Sequence, residues 1–325
     1  MHGRIIRKLI YFWGRILRKA KRISFPGFEG MPLYNVMVFF WRSIVDGSLT
    51  TRASAISFSF FMALFPAIIF LFTLIPYIPI ENFQTELFLL IQDMVPETAF
   101  LAIEETVLDI LTQQRSGLLS LGFLMALVFA TNGLASMMSA FDASLHTYER
   151  RNWMSQYVIA LLMLVIFSFL ITLAIGLITV GQHLINYLVV NGILKDQFTI
   201  YLVIAAKWLV ILILFFMANS FLYYLAPAKK TKWRFISAGS TLSTILCVIT
   251  FVGFSFYINH FGRYNKLYGS IGTLLVIMLL MYFLSFILLV GFELNASIHE
   301  AIKHSRRETI RSKAEQMEST NVESI

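Results

Sequence analysis

Six histidines, His2, His146, His183, His260, His299 and His304, are the side chains of this 325-residue chain best suited to metal ligation or proton transfer. Metal-dependent and acid–base hydrolysis both need such groups gathered with carboxylates in a water-filled site. No two of the six share a metal-ligand spacing on one helix face. A Gly-x-x-x-x-Gly-Lys-Ser/Thr phosphate loop is missing too, so the chain has no device of its own for coupling ATP hydrolysis to transport. We therefore expect no catalytic residues, no metal site, no cofactor and no enzyme. What the sequence does hold is a sparse set of polar side chains in or beside apolar runs: Arg52, Ser57, Asn132, Lys207, Asn219, Glu293 and Asn295, with Pro66 interrupting one run. Polar groups at membrane depth are costly, and they tend to mark substrate paths or to join helices. Each has a plainer reading beside the functional one. Lys207 can snorkel to headgroups, Asn132 and Asn219 can bond neighbouring helices, and Pro66 can be a structural kink.

The elements that must position these groups are set by the lipid. Hydrophobic residues make up 58% of the chain and charged residues 14%. A soluble domain would carry roughly a quarter charged residues, so composition alone predicts an all-α, polytopic membrane protein. About twenty apolar residues, each rising about 1.5 Å, cover the ~30 Å bilayer core. Six runs meet that length: 53–75, 118–139, 157–180, 200–225, 235–258 and 268–295. Thr50 or Thr51 is expected to cap the first, and Pro66 to kink it by clashing with the Met62 carbonyl. Small residues recur every four positions as Ala55, Ser59, Ala63, Ala67, as Ala135, Ser139, Ala143, and as Gly239, Ser243, Cys247. Such ridges let helices approach closely. The last span opens on Tyr268, Gly269 and Gly272 and closes on Glu293 and Asn295. Tyr268 and the tryptophans read as interface anchors. A carboxylate near a helix C-terminus opposes the macrodipole, so Glu293 is expected to have a partner. Arg52 begins the first span at the same depth and is the candidate.

Outside the spans, residues 4–22 alternate Ile, Leu and Trp with Arg and Lys and no acid, which suits a helix lying on an anionic leaflet. Leu33, Val36, Met37, Phe40, Trp41 and Ile44 form a second interfacial stripe ended by Gly47. Apolar stripes with acidic backs between 81 and 109 predict a folded helical lid. The tail is expected to be helical and then to fray after Arg311. The organisation is thus interfacial helices over 1–47, a six-span bundle over 48–300 with a helical insertion at 76–116, and a charged tail over 301–325. Arg and Lys interrupt the first apolar runs, unlike a cleavable signal peptide. The lone Cys247 allows no internal disulfide. Of the 26 Lys and Arg residues, 21 fall on the side of the termini and 4 on the opposite side, with Lys207 inside a span. The positive-inside rule then places both termini in the cytoplasm. The formal charge of +8 is read as a topology signal and not as a nucleic-acid surface.

Four separated motifs in order resemble a known family. Arg52-Ala53-Ser54-Ala55-Ile56-Ser57-Phe58 with Leu64-Phe65-Pro66 is similar to the first-span motif of the YihY/BrkB family of bacterial inner-membrane proteins. Tyr224, Pro227, Trp233 and Gly239 resemble its fourth-to-fifth-span signature. Tyr268-Gly269-Ser270-Ile271-Gly272 and Gly291-Phe292-Glu293-Leu294-Asn295 resemble the pair bracketing its last span. Phe141-Asp142 stands where the family usually has Leu-Asn. The resemblance covers roughly residues 33–300 and implies six spans with cytoplasmic termini. Some members have carried a ribonuclease label and others a virulence-factor name. The ribonuclease reading does not fit the scattered histidines, of which His183 and His260 would lie outside the cell. Two other readings compete. One is a transporter-like or lipid-handling protein of the bacterial inner membrane, with anionic cytoplasmic-leaflet lipids as partners and an unidentified small-molecule or lipid substrate. The other is a non-catalytic envelope scaffold. A polar cavity across half the bilayer would favour transport, and a closed apolar bundle the scaffold.

Overall fold

In lipid every backbone N–H and C=O must find a partner within the protein, so apolar runs of span length become helices. The computed structural model describes residues 23–24, 27–46, 48–77, 111–144, 151–191, 197–228, 236–260 and 262–323, with a few helical residues between 85 and 109. Among them the helices are α1 (Leu33–Asp46), α2 (Leu49–Leu74, extended by a 3-10 turn at Ile75–Tyr77), α3 (Ser116–Ser144), α4 (Trp153–Val190), α5 (Gln197–Leu225), α6 (Ala238–His260) and α7 (Gly262–Glu323). Helices α2 to α7 each carry a run long and apolar enough to cross a bilayer. The six expected spans are present, and no strand occurs among the described residues. The basic helix over 4–22 and most of the acidic segment 81–109 lie outside the described residues.

Helix ends depart from the sequence reading in two places. Neither Thr50 nor Thr51 caps α2. The helix starts at Leu49 after Ser48, which sits at φ 46° and makes no side-chain cap bond. That left-handed residue turns the chain out of α1 almost at once. Pro66 lies buried inside α2, which is helical on both sides of it. At the other end of the chain, α7 runs 62 residues, past both Asn295 and Arg311, so the expected fraying is not found. Leaving the hydrocarbon removes the demand for a helix but supplies no stop signal. A well-formed cap stands at α6. There the Ser237 hydroxyl accepts the Ser240 N–H at 3.0 Å and the Ser240 hydroxyl accepts the Ser237 N–H at 3.2 Å, a reciprocal box.

Helix α2 packs on α3, α7 packs on α2 and α6, α3 on α4, and α4 on α5. The close-packed core lies at one end of this bundle. It joins Leu49, Ala53 and Ile56 of α2, Met138 and Phe141 of α3, Met163 of α4, Leu222 and Tyr223 of α5, and Leu289 and Phe292 of α7. Phe141 and Phe292 stack with centroids 4.1 Å apart, and Tyr223 meets the Phe141 ring near edge-on at 5.6 Å. Helix α1 seals this end by setting Val36, Phe39 and Phe40 against Leu294, Ile298 and Ile302 of α7. Met37 and Trp41, expected on that stripe, are exposed instead.

Two of the three small-residue ridges are packed only in part. On α2 the ridge residue Ala63 is buried, Ser59 and Ala67 are half-buried and Ala55 is exposed, while Ala53, Ile56, Ser57 and Pro66 are buried beside them. On α3 Ala135 is buried with Leu134, Met137, Met138 and Phe141, whereas Ser139 and Ala143 are exposed. The third ridge holds: Gly239, Ser243 and Cys247 are all buried on α6.

Candidate functional site

Two of the residues marked at the sequence level, Arg52 and Glu293, meet where α1, α2, α3 and α7 come together. Arg52, in the first turns of α2, reaches Glu293 on α7 with Nη2 2.8 Å from Oε1. Its Nη1 donates to the Ala140 carbonyl at 2.8 Å and to the Ser144 hydroxyl at 2.5 Å. Those two acceptors lie in the last turn of α3, the negative end of its dipole. Ser43 of α1 donates to the other Glu293 oxygen at 2.5 Å. Glu293 is fully buried. One guanidinium and one carboxylate thus tie four helices together, and both carboxylate oxygens are occupied. The expected pair is present, but the reason given for it is not. Glu293 is mid-helix, so its need for a partner comes from burial of a charge and not from a helix terminus.

Two residues on, Asn295 joins α7 to α6. Its Oδ1 accepts the Gly239 N–H at 2.8 Å, and its Nδ2 donates to Ser237 Oγ at 3.1 Å. The first N–H groups of a helix have no acceptor within it, and Asn295 supplies one from outside. Gly239 and Gly291 make the contact possible. A Cβ on Gly291 would collide with Ser243 Oγ and come within 2.6 Å of Tyr223 Oη and 2.7 Å of the Gly239 carbonyl oxygen. Tyr223 shares a short hydrogen bond with Ser243 and donates to the Leu288 carbonyl at 2.7 Å. The α6–α7 crossing is therefore backbone against backbone, sewn by hydroxyls.

A second arginine closes the same end at α5. Arg151 donates to the carbonyls of Leu225, Ala226 and Pro227 at 3.1, 3.2 and 2.6 Å, which are the orphan acceptors of the α5 terminus. Burial pushes the Arg151 guanidinium below its ordinary value, and the nearby Asp142 carboxylate pulls it back up. Asp142 accepts the Ala228 N–H at 2.7 Å. The aspartate where the family usually has asparagine thus keeps an acceptor for the chain leaving α5.

The other marked residues do not join this layer. Asn132 accepts the Tyr157 hydroxyl at 2.6 Å, between α3 and α4. Asn219 donates to Thr244 Oγ1 at 2.9 Å, between α5 and α6. Ser57 turns its hydroxyl back to the Ser54 carbonyl at 2.9 Å. Gly272 is buried, and the side chains around Tyr268 and Gly269 lie outside the described residues. Asn132 and Asn219 are thus satisfied at separate helix contacts, and Ser57 within its own helix. No group of three or more His, Cys, Asp or Glu placed to hold a metal occurs among the described residues. Sequence reasoning passed over Ser43, Ser144, Tyr223 and the role of Arg151. Serines and a tyrosine in apolar runs are too common to signal anything alone, and Arg151 was read only as loop charge.

Beyond the polar layer the bundle loosens. A cavity of about 790 Å³ is lined from all six spans, by Phe60, Met137, Leu170, Phe215, Val252 and Leu284 among others. Asn219, Ser285 and the indole N–H of Trp208 are the hydrogen-bonding groups among the residues that line it, and the rest are aliphatic, Met and Phe side chains. It is not sealed: Val252, Ile171 and Trp208 keep 67%, 60% and 57% of their surfaces exposed. An apolar space open between spanning helices meets acyl chains and not water.

Six apolar spans fastened at one end by buried charge define a polytopic α-helical membrane protein. Residues 40–317 match the family model described as Virulence factor BrkB, and the chain belongs to that family. It is 29% identical over 257 residues to the "Putative ribonuclease-like protein YfkH" of Bacillus subtilis, covering 78% of this chain and 91% of that one. It is 23% identical over 267 residues to a UPF0761 membrane protein of Tolumonas auensis, covering 81% and 84% respectively. No solved structure matches. The family resemblance carried by the four sequence motifs is confirmed. The structure adds that Arg52, Gly239, Glu293 and Asn295, from three of those motifs, meet at one end of the bundle.

Proposed function

We propose that this protein handles lipid, taking acyl chains into the cavity between its spans, and that it is not an enzyme. The observation that carries this reading is the character of that cavity. Its 790 Å³ fall within the roughly 300–1,000 Å³ of small-ligand sites. Its nearly wholly apolar lining offers a polar solute no replacement for lost hydration. The separate satisfaction of Asn132 and Asn219 by neighbouring helices speaks the same way, since it occupies both amides in helix contacts. Filling the cavity tests the idea. Wild-type protein purified in mild detergent should retain lipid in native mass spectrometry, and Ala218→Trp, which adds bulk to the lining, should lose most of it. Equal retention by folded wild-type and Ala218→Trp protein would sink the reading.

We place the protein in the bacterial inner membrane with both termini cytoplasmic, on the strength of the basic-residue distribution. Single cysteines at Glu97 and Lys230 then report opposite sides. In cells with an opened outer barrier, an impermeant thiol reagent should label the first at once and the second only after the inner membrane is breached. The reverse pattern would invert the topology.

A further inference from the structure

The cavity has a cation at its far edge. On α5 the lining runs from Leu222, near the polar layer, to Trp208. Lys207 precedes Trp208, and its Nζ lies 5.9 Å from the centroid of that indole ring. Its stem passes Gly181 of α4, where an added Cβ would stand 3.1 Å from Lys207 Cδ. Lys207 is eighteen residues before Leu225, roughly 27 Å along the helix axis. It is also seven residues inside Ile200, where the apolar run begins, roughly 10 Å. A lysine stem spans most of that shorter distance, so the ammonium reaches the headgroup level of the leaflet opposite the Arg52–Glu293 layer.

We infer that the cavity and Lys207 form one site for an anionic phospholipid of that opposite leaflet. The acyl chains occupy the space below Trp208, and the headgroup phosphate pairs with the Lys207 ammonium. Three features select this occupant. Apart from Asn219, Ser285 and the Trp208 indole N–H the lining is apolar, which offers free phosphate or a polar metabolite too few partners to be the principal ligand. The positive charge stands at the rim and not within the cavity, matching a ligand charged at one end only. Trp208 sits between the two, with an apolar body toward the cavity and the cation beside its ring, as interfacial indoles do. Gly181 contributes by giving room: an added Cβ there would press on the lysine stem that rises along α4.

This assignment rests on the cavity being a lipid site, and the experiment separates the two claims. Detergent-purified, delipidated protein is exposed to equimolar phosphatidylglycerol and phosphatidylcholine of identical chains, and bound lipid is counted by native mass spectrometry. The expected result is a preference for phosphatidylglycerol of roughly five-fold, the effect of one lysine at an anionic headgroup. Lys207→Ala should abolish the preference while phosphatidylcholine retention is unchanged, and Lys207→Arg should restore it. A preference that survives in Lys207→Ala overturns the assignment. Equal retention of both lipids by the wild type overturns it too, leaving the cavity reading intact. Wild-type protein that retains neither lipid overturns the cavity reading itself.

Discussion

Glu293→Ala is expected to lower stability in detergent by about 3–5 kcal/mol, the largest loss of any single polar substitution in this chain. Removing the carboxylate leaves the Arg52 guanidinium, whose side chain is only 13% exposed, without its counter-charge. It also strips Ser43 of α1 of its acceptor, so α1 loses its polar tie to α7. The Ala140 carbonyl and Ser144 hydroxyl still hold Nη1, but neutral acceptors do not balance a buried cation. Breaking such a pair costs far more than the pair contributes, because the cost is that of an uncompensated charge. The double variant Arg52→Met with Glu293→Met should therefore recover much of the loss. Thermal unfolding of Arg52→Met, Glu293→Met and the double variant gives the coupling directly. If the two single effects simply add, the ion pair does not hold this end of the bundle.

Gly291→Ala is expected to be almost as damaging, although alanine is the better helix former. In an open helix position, Gly→Ala stabilises by about 0.5–1 kcal/mol. At Gly291 the new methyl would overlap Ser243 Oγ and press on Tyr223 Oη and the Gly239 carbonyl. Two of those three are held in place, Ser243 by its bond to the Gly239 carbonyl at 2.8 Å and Tyr223 by its bond to Leu288. The crossing must widen, and overpacking of this kind costs roughly 1–3 kcal/mol or more. Widening also stretches the Asn295–Gly239 bond. Membrane helices gain nothing from burying apolar surface against one another that lipid does not already give, so close contact and hydrogen bonds are what hold α6 to α7. Gly253→Ala and Gly176→Ala supply the control, since nothing lies within 4 Å of an added Cβ at either. Both should be neutral or mildly stabilising. Equal behaviour of Gly291→Ala and Gly253→Ala in a melting experiment would refute the close crossing.

These two sites show where the sequence was legible. Glu293, Arg52 and Gly239 could be picked out before any coordinates because lipid makes polar and small residues conspicuous along a chain. Their convergence could be guessed for one pair, since the start of the first span and the end of the last share a depth. The partners that complete the site could not. Ser43, Ser144 and Tyr223 are ordinary residues whose meaning lies in what stands opposite them.

The six spans were determined by the sequence alone, because the bilayer imposes a one-dimensional rule. A run of about twenty apolar residues must become a helix, whatever its neighbours are. Only the tertiary structure decided how each helix is rotated and which helix it touches. The spans are apolar all round, so their periodicity does not distinguish a packed face from a lipid-facing one, and the ridges through Ala55 and Ser139 are packed only in part for that reason. Helix ends escaped as well, because α7 outlasts the lipid that required it. The cavity is the plainest case. It is made of residues no different from those packed in the core, and only the arrangement of all six spans encloses it.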